Sequence, residues 1–170
     1  MSDYSGLSAL GAQLLADAEA ISDEMQDWRR DFHQFPELAF EENITASKIT
    51  KVLESIEGME VISGFAIPTS VIGILGKDLP GPAVLIRSCM DALAVEEETG
   101  LPFASQNGCM HACGHDAHAA MGLASVKLLH DVREKIEGSV LVVFQPGEEG
   151  CTDGPGGAKR MLDDGAFEDP

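Results

Sequence analysis

A chain of 170 residues, 44% apolar and 24% charged, fits one globular domain with room for a core. Its formal net charge of -18 argues against nucleic-acid or anionic-membrane binding, both of which select basic patches. No apolar run approaches the ~20 residues that span a bilayer. The start Met1-Ser2-Asp3-Tyr4-Ser5 lacks the regions of a signal peptide, so the four cysteines, Cys89, Cys109, Cys113 and Cys151, are expected as reduced thiols in a cytoplasmic protein.

Leu14, Ala18, Ile21, Met25, Trp28 and Phe32 recur at helical spacing and predict one amphipathic helix ending before Pro36. A second helix is expected from about Glu41 to Ile56, with Ile49, Val52, Leu53 and Ile56 inward and Gly58 closing it. Strands are expected at Met59–Ile62, Thr69–Leu75 and Ala83–Arg87. Gly76, Pro80, Gly81 and Pro82 punctuate the last two, and the segment between them suits a hairpin loop, so part of the sheet is expected to be antiparallel. Asp91 to Gly108 reads as irregular and acidic. A third helix, about Ala117 to Val132, takes Asp116 as its N-cap and turns Met121, Ala124, Leu128 and Val132 inward. His130 is expected on its exposed side. Ser139–Gln145 reads as a buried strand, and a glycine-rich turn leads to a last helix, about Gly156 to Asp164. Alternating strands and helices predict an α/β fold, in which ligands bind at the carboxyl ends of strands.

The run His111-Ala112-Cys113-Gly114-His115-Asp116-Ala117-His118 concentrates imidazole, thiol and carboxylate, the donors that suit zinc-like metals. If its start is extended, His111, Cys113 and His115 share one side. Cys113 and His115 flank Gly114, which lets the backbone turn both groups toward one ion. A catalytic metal is the favoured reading. The rivals are ordinary packing and a structural zinc knot of Cys109, His111, Cys113 and His115, although structural sites usually draw ligands from two separated loops. Some thirty residues on, Phe144-Gln145-Pro146-Gly147-Glu148-Glu149-Gly150 places two carboxylates after an apolar strand. Adjacent side chains diverge, so one can bind metal while the other faces substrate and moves a proton. Asp91, just past the third strand, either orients a ligating imidazole or caps a turn. Cys89 is a soft ligand or a small buried hydrophobe. His33 reads as a structural or surface histidine, and His118 as a residue that can line the cleft.

Together these segments resemble the dinuclear-metal amidohydrolases of the aminoacylase/carboxypeptidase type, which include hippurate hydrolase, N-acyl-amino-acid amidohydrolases, N-acetyldiaminopimelate deacetylase and the indole-acetyl-amino-acid hydrolases. The resemblance is carried by His33-Gln34-Phe35-Pro36-Glu37-Leu38, Ile86-Arg87-Ser88-Cys89-Met90-Asp91-Ala92-Leu93 and Glu98-Thr99-Gly100-Leu101-Pro102-Phe103. It continues in Met110-His111-Ala112-Cys113-Gly114-His115-Asp116, Gln145-Pro146-Gly147-Glu148-Glu149-Gly150 and Gly156-Gly157-Ala158. It implies a zinc-peptidase-like, mixed-sheet, three-layer α/β/α domain, incomplete at its C-terminus. Residues 1–170 would be the N-terminal part of the catalytic domain, with the lid, which commonly carries a homodimer contact, absent. It further implies Cys113, His115 and Glu149 as metal ligands, Glu148 as catalytic base with Asp91 beside it, and two divalent ions (manganese, zinc, nickel or cobalt).

Three departures stand out. The chain is less than half of a typical member, and further ligand histidines are expected beyond Pro170. Ser88, Cys89 and Ala94 replace the usual Ala, first Asp and Pro of Arg-Ala-Asp-Met-Asp-Ala-Leu-Pro. Gly147 stands where alanine is usual, a change expected to be minor. The function implied is hydrolysis of N-acyl or N-aroyl amino acids, small-molecule substrates, to a carboxylic acid and an amino acid. The alternatives are a truncated or split-gene fragment that is inactive alone, and a structural-metal module.

Overall fold

The computed structural model describes residues 8–149 and 154–166. The chain start, Gly150, Cys151 and Phe167–Pro170, on which some expectations above fall, lie outside the described residues. The elements are α1 (Ala9–Ala20), α2 (Ser22–Gln34), α3 (Asn43–Glu54), β1 (Glu60–Ser63), β2 (Val71–Leu75), β3 (Ala83–Cys89), α4 (His115–Asp131), β4 (Ser139–Gln145) and α5 (Gly157–Asp163). Among the described residues no helix is long and apolar enough to cross a membrane.

The first predicted helix is two. The backbone breaks at Ile21 (φ -93°, ψ 6°). The periodic stripe runs across the break, but only its second half buries side chains: α1 buries none, whereas α2 buries Phe32 and His33. Helix α3 starts where Glu37 reaches forward from the Pro36-Glu37 turn. Its carboxylate accepts from Ile44 N (3.0 Å), Thr45 N (2.8 Å) and Thr45 Oγ1 (2.9 Å), satisfying amides that have no partner within the helix.

The sheet order is β1-β2-β4-β3. β1 and β2 form an antiparallel hairpin, β2 and β4 are antiparallel, and β3 and β4 run parallel, joined by α4. The expected antiparallel part exists, but β2 and β3 do not pair with each other. β4 separates them because it is buried along its whole length and suits the centre, while Val84 and Leu85 on β3 stay exposed and suit an edge. One face carries Val71, Val142 and Phe144 against Phe32, Ile49, Leu53, Leu123 and Val126 of α2, α3 and α4. The other carries Ile72, Ile74, Leu141 and Val143 against Met161 of α5. Alternate residues of the same strands thus serve the two faces, giving three layers, helix on sheet on helix. Gly122 lets α4 lie close to the sheet: a Cβ there would stand 2.5 Å from Ser88 Oγ and 3.0 Å from the Phe144 ring.

Candidate metal centre

β3 and β4 are parallel neighbours with Cys89 opposite Gln145, so the segments leaving them emerge side by side. Asp91 follows β3, and Glu148 and Glu149 follow β4. The stretch after β3 is pinned by bridges from Ala92 to Leu38 and from Leu93 to Met110. The second bridge brings Met110 to Gly114 back beside Asp91, and α4 starts at His115, with Gly114 in the left-handed conformation (φ 82°) as its N-cap. Asp116 is therefore not the N-cap. It lies inside the first turn, and its carboxylate turns away to His33.

Cys113, His115 and Glu149 come together: one donor atom from each lies within 4.8 Å of the others. Thiolate, imidazole and carboxylate at such separations fit one zinc-class ion. The His115 Nδ1 donates to the Asp91 carbonyl (2.9 Å) and faces Asp91 Oδ1 (3.2 Å), which fixes the tautomer and leaves Nε2 for a ligand. The hydrogen bond to the Asp91 carboxylate, against the effect of burial, raises the His115 pKa. Asp91 Oδ2 accepts from Glu149 N at 2.7 Å, so one buried carboxylate organises both the imidazole and the glutamate loop. Burial opposes the charged form of Asp91, but the bonds from His115 and the backbone of Glu149 and Glu148 outweigh it and lower its pKa. The Cys113 thiol is raised chiefly by its hydrogen bond to the Glu149 carboxylate, so metal capture there must release a proton.

Glu148 diverges from Glu149. Its side chain is 41% exposed, and Oε2 stands 3.8 Å from His115 Nε2. His118, exposed, stacks on His115 with ring centroids 5.3 Å apart. Cys89 is buried at the end of β3, and burial pushes its thiol up to about 11.

Other expected members do not join. Residues 112–113 form a turn, with Gly114 N bonded to His111 O at 3.2 Å, so the segment is not extended and His111 does not share the side of Cys113 and His115. His111 is buried, 4% exposed, with neither ring nitrogen hydrogen-bonded among the described residues, and burial takes its pKa down to about 4. The four-ligand knot through Cys109 and His111 does not form among the described residues. His130 is not exposed either: its side chain is only 16% accessible, and its Nε2 is buried without a partner among the described residues. A cavity of about 490 Å³ lies at the other end of β4 near Gly138 and touches none of the metal donors.

Two glutamates outside the cluster escaped sequence reading. Glu42, fully buried, accepts from Phe40 N (3.0 Å), Thr69 Oγ1 (2.7 Å) and Gly147 N (2.8 Å). It thereby ties the start of α3 to the loop that carries Glu148. Gly147 (φ 58°) faces the Phe40 ring so closely that a Cβ would stand 2.3 Å from Cε1, so its replacement of the usual alanine is not minor here. Glu97 receives His33 Nε2 at 3.0 Å, while His33 Nδ1 meets Asp116 Oδ2 at 2.8 Å. The weak advance signal was position alone: Glu42 sits at a helix start, and Glu97 beside the Glu98-Thr99-Gly100 motif.

The family model described as Peptidase family M20/M25/M40 matches residues 85–170. Thermostable carboxypeptidase 1 of Saccharolobus solfataricus is 43% identical over 149 residues, covering 85% of this chain and 37% of that protein. N-acetylcysteine deacetylase of Bacillus subtilis is 39% identical over 150 residues, covering 88% of this chain and 38% of that protein. The crystal structure of the YXEP protein of Bacillus subtilis, described as a dinuclear metal binding peptidase from the M20 family, superposes with a TM-score of 0.80 at 38% identity. That alignment covers 89% of this chain and 41% of YXEP. The chain thus spans about two fifths of the length of the relatives it matches.

Proposed function

Because the chain belongs to Peptidase family M20/M25/M40, we propose that the complete protein is a metal-dependent hydrolase of the amide bond in N-acyl amino acids, using two divalent ions. Residues 1–170 are the N-terminal part of its catalytic domain. The observation that carries the reading is the convergence of Cys113, His115 and Glu149, with Glu148 beside them, at the carboxyl ends of two parallel strands. The relationship to an N-acetylcysteine deacetylase supports an N-acyl amino acid as the substrate.

In this reading Cys113, His115 and Glu149 hold one ion, and Asp91 keeps His115 in the tautomer that presents Nε2. When bound, the metal supplies a Lewis acid for the amide carbonyl and acidifies water. Glu148 takes one proton from the attacking water while the oxygen adds to the acyl carbon. It then returns that proton to the nitrogen as the C–N bond breaks, leaving a carboxylic acid and an amino acid. A thiolate and an imidazole in the donor set favour zinc-class ions over magnesium or calcium. Among the described residues, Cys113, His115 and Glu149 supply donors for one ion of the pair.

The test is hydrolysis of a panel of N-acyl amino acids by the metal-loaded complete protein, with Glu148→Gln beside it. The expected loss in the variant is about 10²- to 10⁴-fold at unchanged metal content. A complete protein that cleaves none of the panel, or a variant as active as the parent, overturns the reading.

A further inference from the structure

A second group of donors adjoins the first. Cys89, His115 and His118 each place a ligand atom within 4.8 Å of the others. Cys89 is a free cysteine at the last position of β3, in register with Gln145 of β4. His115 and His118 are three apart on α4, hence on one face of the helix, and their rings stack at 29° between planes. Two rigid elements, the end of a strand and the first turn of a helix, therefore deliver the three donors, with no loop adjustment needed. A cavity of about 230 Å³, lined by Ser88, His118, Met121 and Gly122 among others, opens at His118. The nearby cation that could repel an ion, Arg87, is exposed and donates from Nε to Gln145 Oε1 at 2.5 Å.

We propose that Cys89, His115 and His118 form a second seat for a thiophilic divalent cation, alternative to the Cys113–His115–Glu149 seat and sharing the His115 ring with it. The sharing is exclusive for a physical reason. His115 Nδ1 is occupied by Asp91, and the single lone pair on Nε2 serves one ion at a time. The two seats differ in hardness. The first offers sulfur, nitrogen and a carboxylate oxygen, whereas the second offers sulfur and two nitrogens. Softer ions such as cadmium and zinc are drawn to the second, and harder ions such as manganese to the first. The proposal stands on donor geometry and does not rest on the hydrolase reading. Cys89 supplies the thiolate, the softest donor of the three.

The experiment is a cobalt(II) titration of the full chain carrying Cys109→Ser, Cys113→Ser and Cys151→Ser, which leaves Cys89 as the sole thiol. The expected result is one equivalent of bound cobalt with a thiolate-to-cobalt charge-transfer band. Adding Cys89→Ser abolishes the band. Adding His118→Ala weakens apparent affinity by at least ~10-fold, the scale on which lost metal-site contacts act. His118 is exposed, so this last variant reports on the seat without threatening the fold, and circular dichroism verifies that. Absence of the band in the single-thiol chain, or a band indifferent to His118→Ala, overturns the proposal. A band that persists while the complete protein fails on every N-acyl amino acid upholds the seat and removes only the hydrolase reading.

Discussion

Two histidine–carboxylate clusters meet at the first turn of α4, built from adjacent residues that face opposite ways. On one side Asp116 accepts from Arg29 Nε (3.1 Å) and holds His33 Nδ1, while Glu97 takes His33 Nε2. Both imidazole nitrogens are consumed, and the side chains of His33, Asp116 and Glu97 are 5% exposed or less. On the other side His115 spends only Nδ1, on Asp91, and keeps Nε2 toward Cys113, Glu148 and Glu149. The residue types are the same in both. A histidine with both nitrogens engaged is scaffold, and a histidine with one nitrogen held and the other presented is a prepared ligand.

The sharpest way to break this contrast is His33→Ala. It leaves Asp116 and Glu97 buried without their shared partner and should cost about 3–5 kcal/mol in urea unfolding, the scale of breaking a buried pair, with metal stoichiometry of the folded fraction unchanged. Loss of metal instead would show that the two clusters are not separate. Next in size is Asp91→Ala. Removing the group that orients His115 should weaken zinc binding by about 10- to 100-fold, measured by competition with a chromophoric chelator. Equal affinity in the variant would mean that Asp91 does not prepare the imidazole.

A smaller effect is expected at the glutamate loop. Gly147→Ala forces a side chain onto a positive φ and into the Phe40 ring, and should destabilise the protein by about 1–3 kcal/mol, read as a lowered melting midpoint.

The smallest effect is a pH profile peculiar to the closed cluster. For His33, burial disfavours the charged ring, but hydrogen bonds to Glu97 and Asp116 outweigh it, so its folded pKa lies above 6.5. That contribution is complete below the unfolded value and is lost as pH rises through the folded one. For Glu97, burial again opposes charge, but bonds from Thr99, Ser105 N and His33 take its pKa from 4.5 to about 2. That contribution is complete above 4.5 and is lost as pH falls toward 2. The stability gap between parent and His33→Gln should therefore be widest between pH 4.5 and 6.5. A gap that does not vary with pH would remove the charge from the cluster.

How much of this was legible in the chain differs by residue. Cys113, His115 and the pair Glu148-Glu149 could be singled out because soft donors and adjacent carboxylates stand in short, unusual runs beside predicted elements, whereas the choice of Glu149 as the ligand of that pair came from the family resemblance. Val140 to Phe144 could be placed in the core because five consecutive apolar residues admit little else. Glu42, Glu97 and Asp116 could not be distinguished from other acids in a chain with 29 of them, because a buried acid and a solvated one have the same local spelling. The stripe from Leu14 to Phe32 was readable as helical, yet the break at Ile21 depended on what each half packs against.

By itself, then, the sequence determined what is written in local spacing: the α/β alternation, the apolar strands, the donor-rich turn before α4 and the paired glutamates after β4. Tertiary structure alone decided that β4 slots between β2 and β3, that Glu42 reaches a loop 105 residues away, that His33 meets an aspartate 83 residues on, and that Cys89 comes to His118. The reason is physical. Periodicity and turn chemistry act between near neighbours along the chain, whereas strand order and the pairing of buried polar groups are settled by which distant surfaces bury the most apolar area without leaving a charge alone.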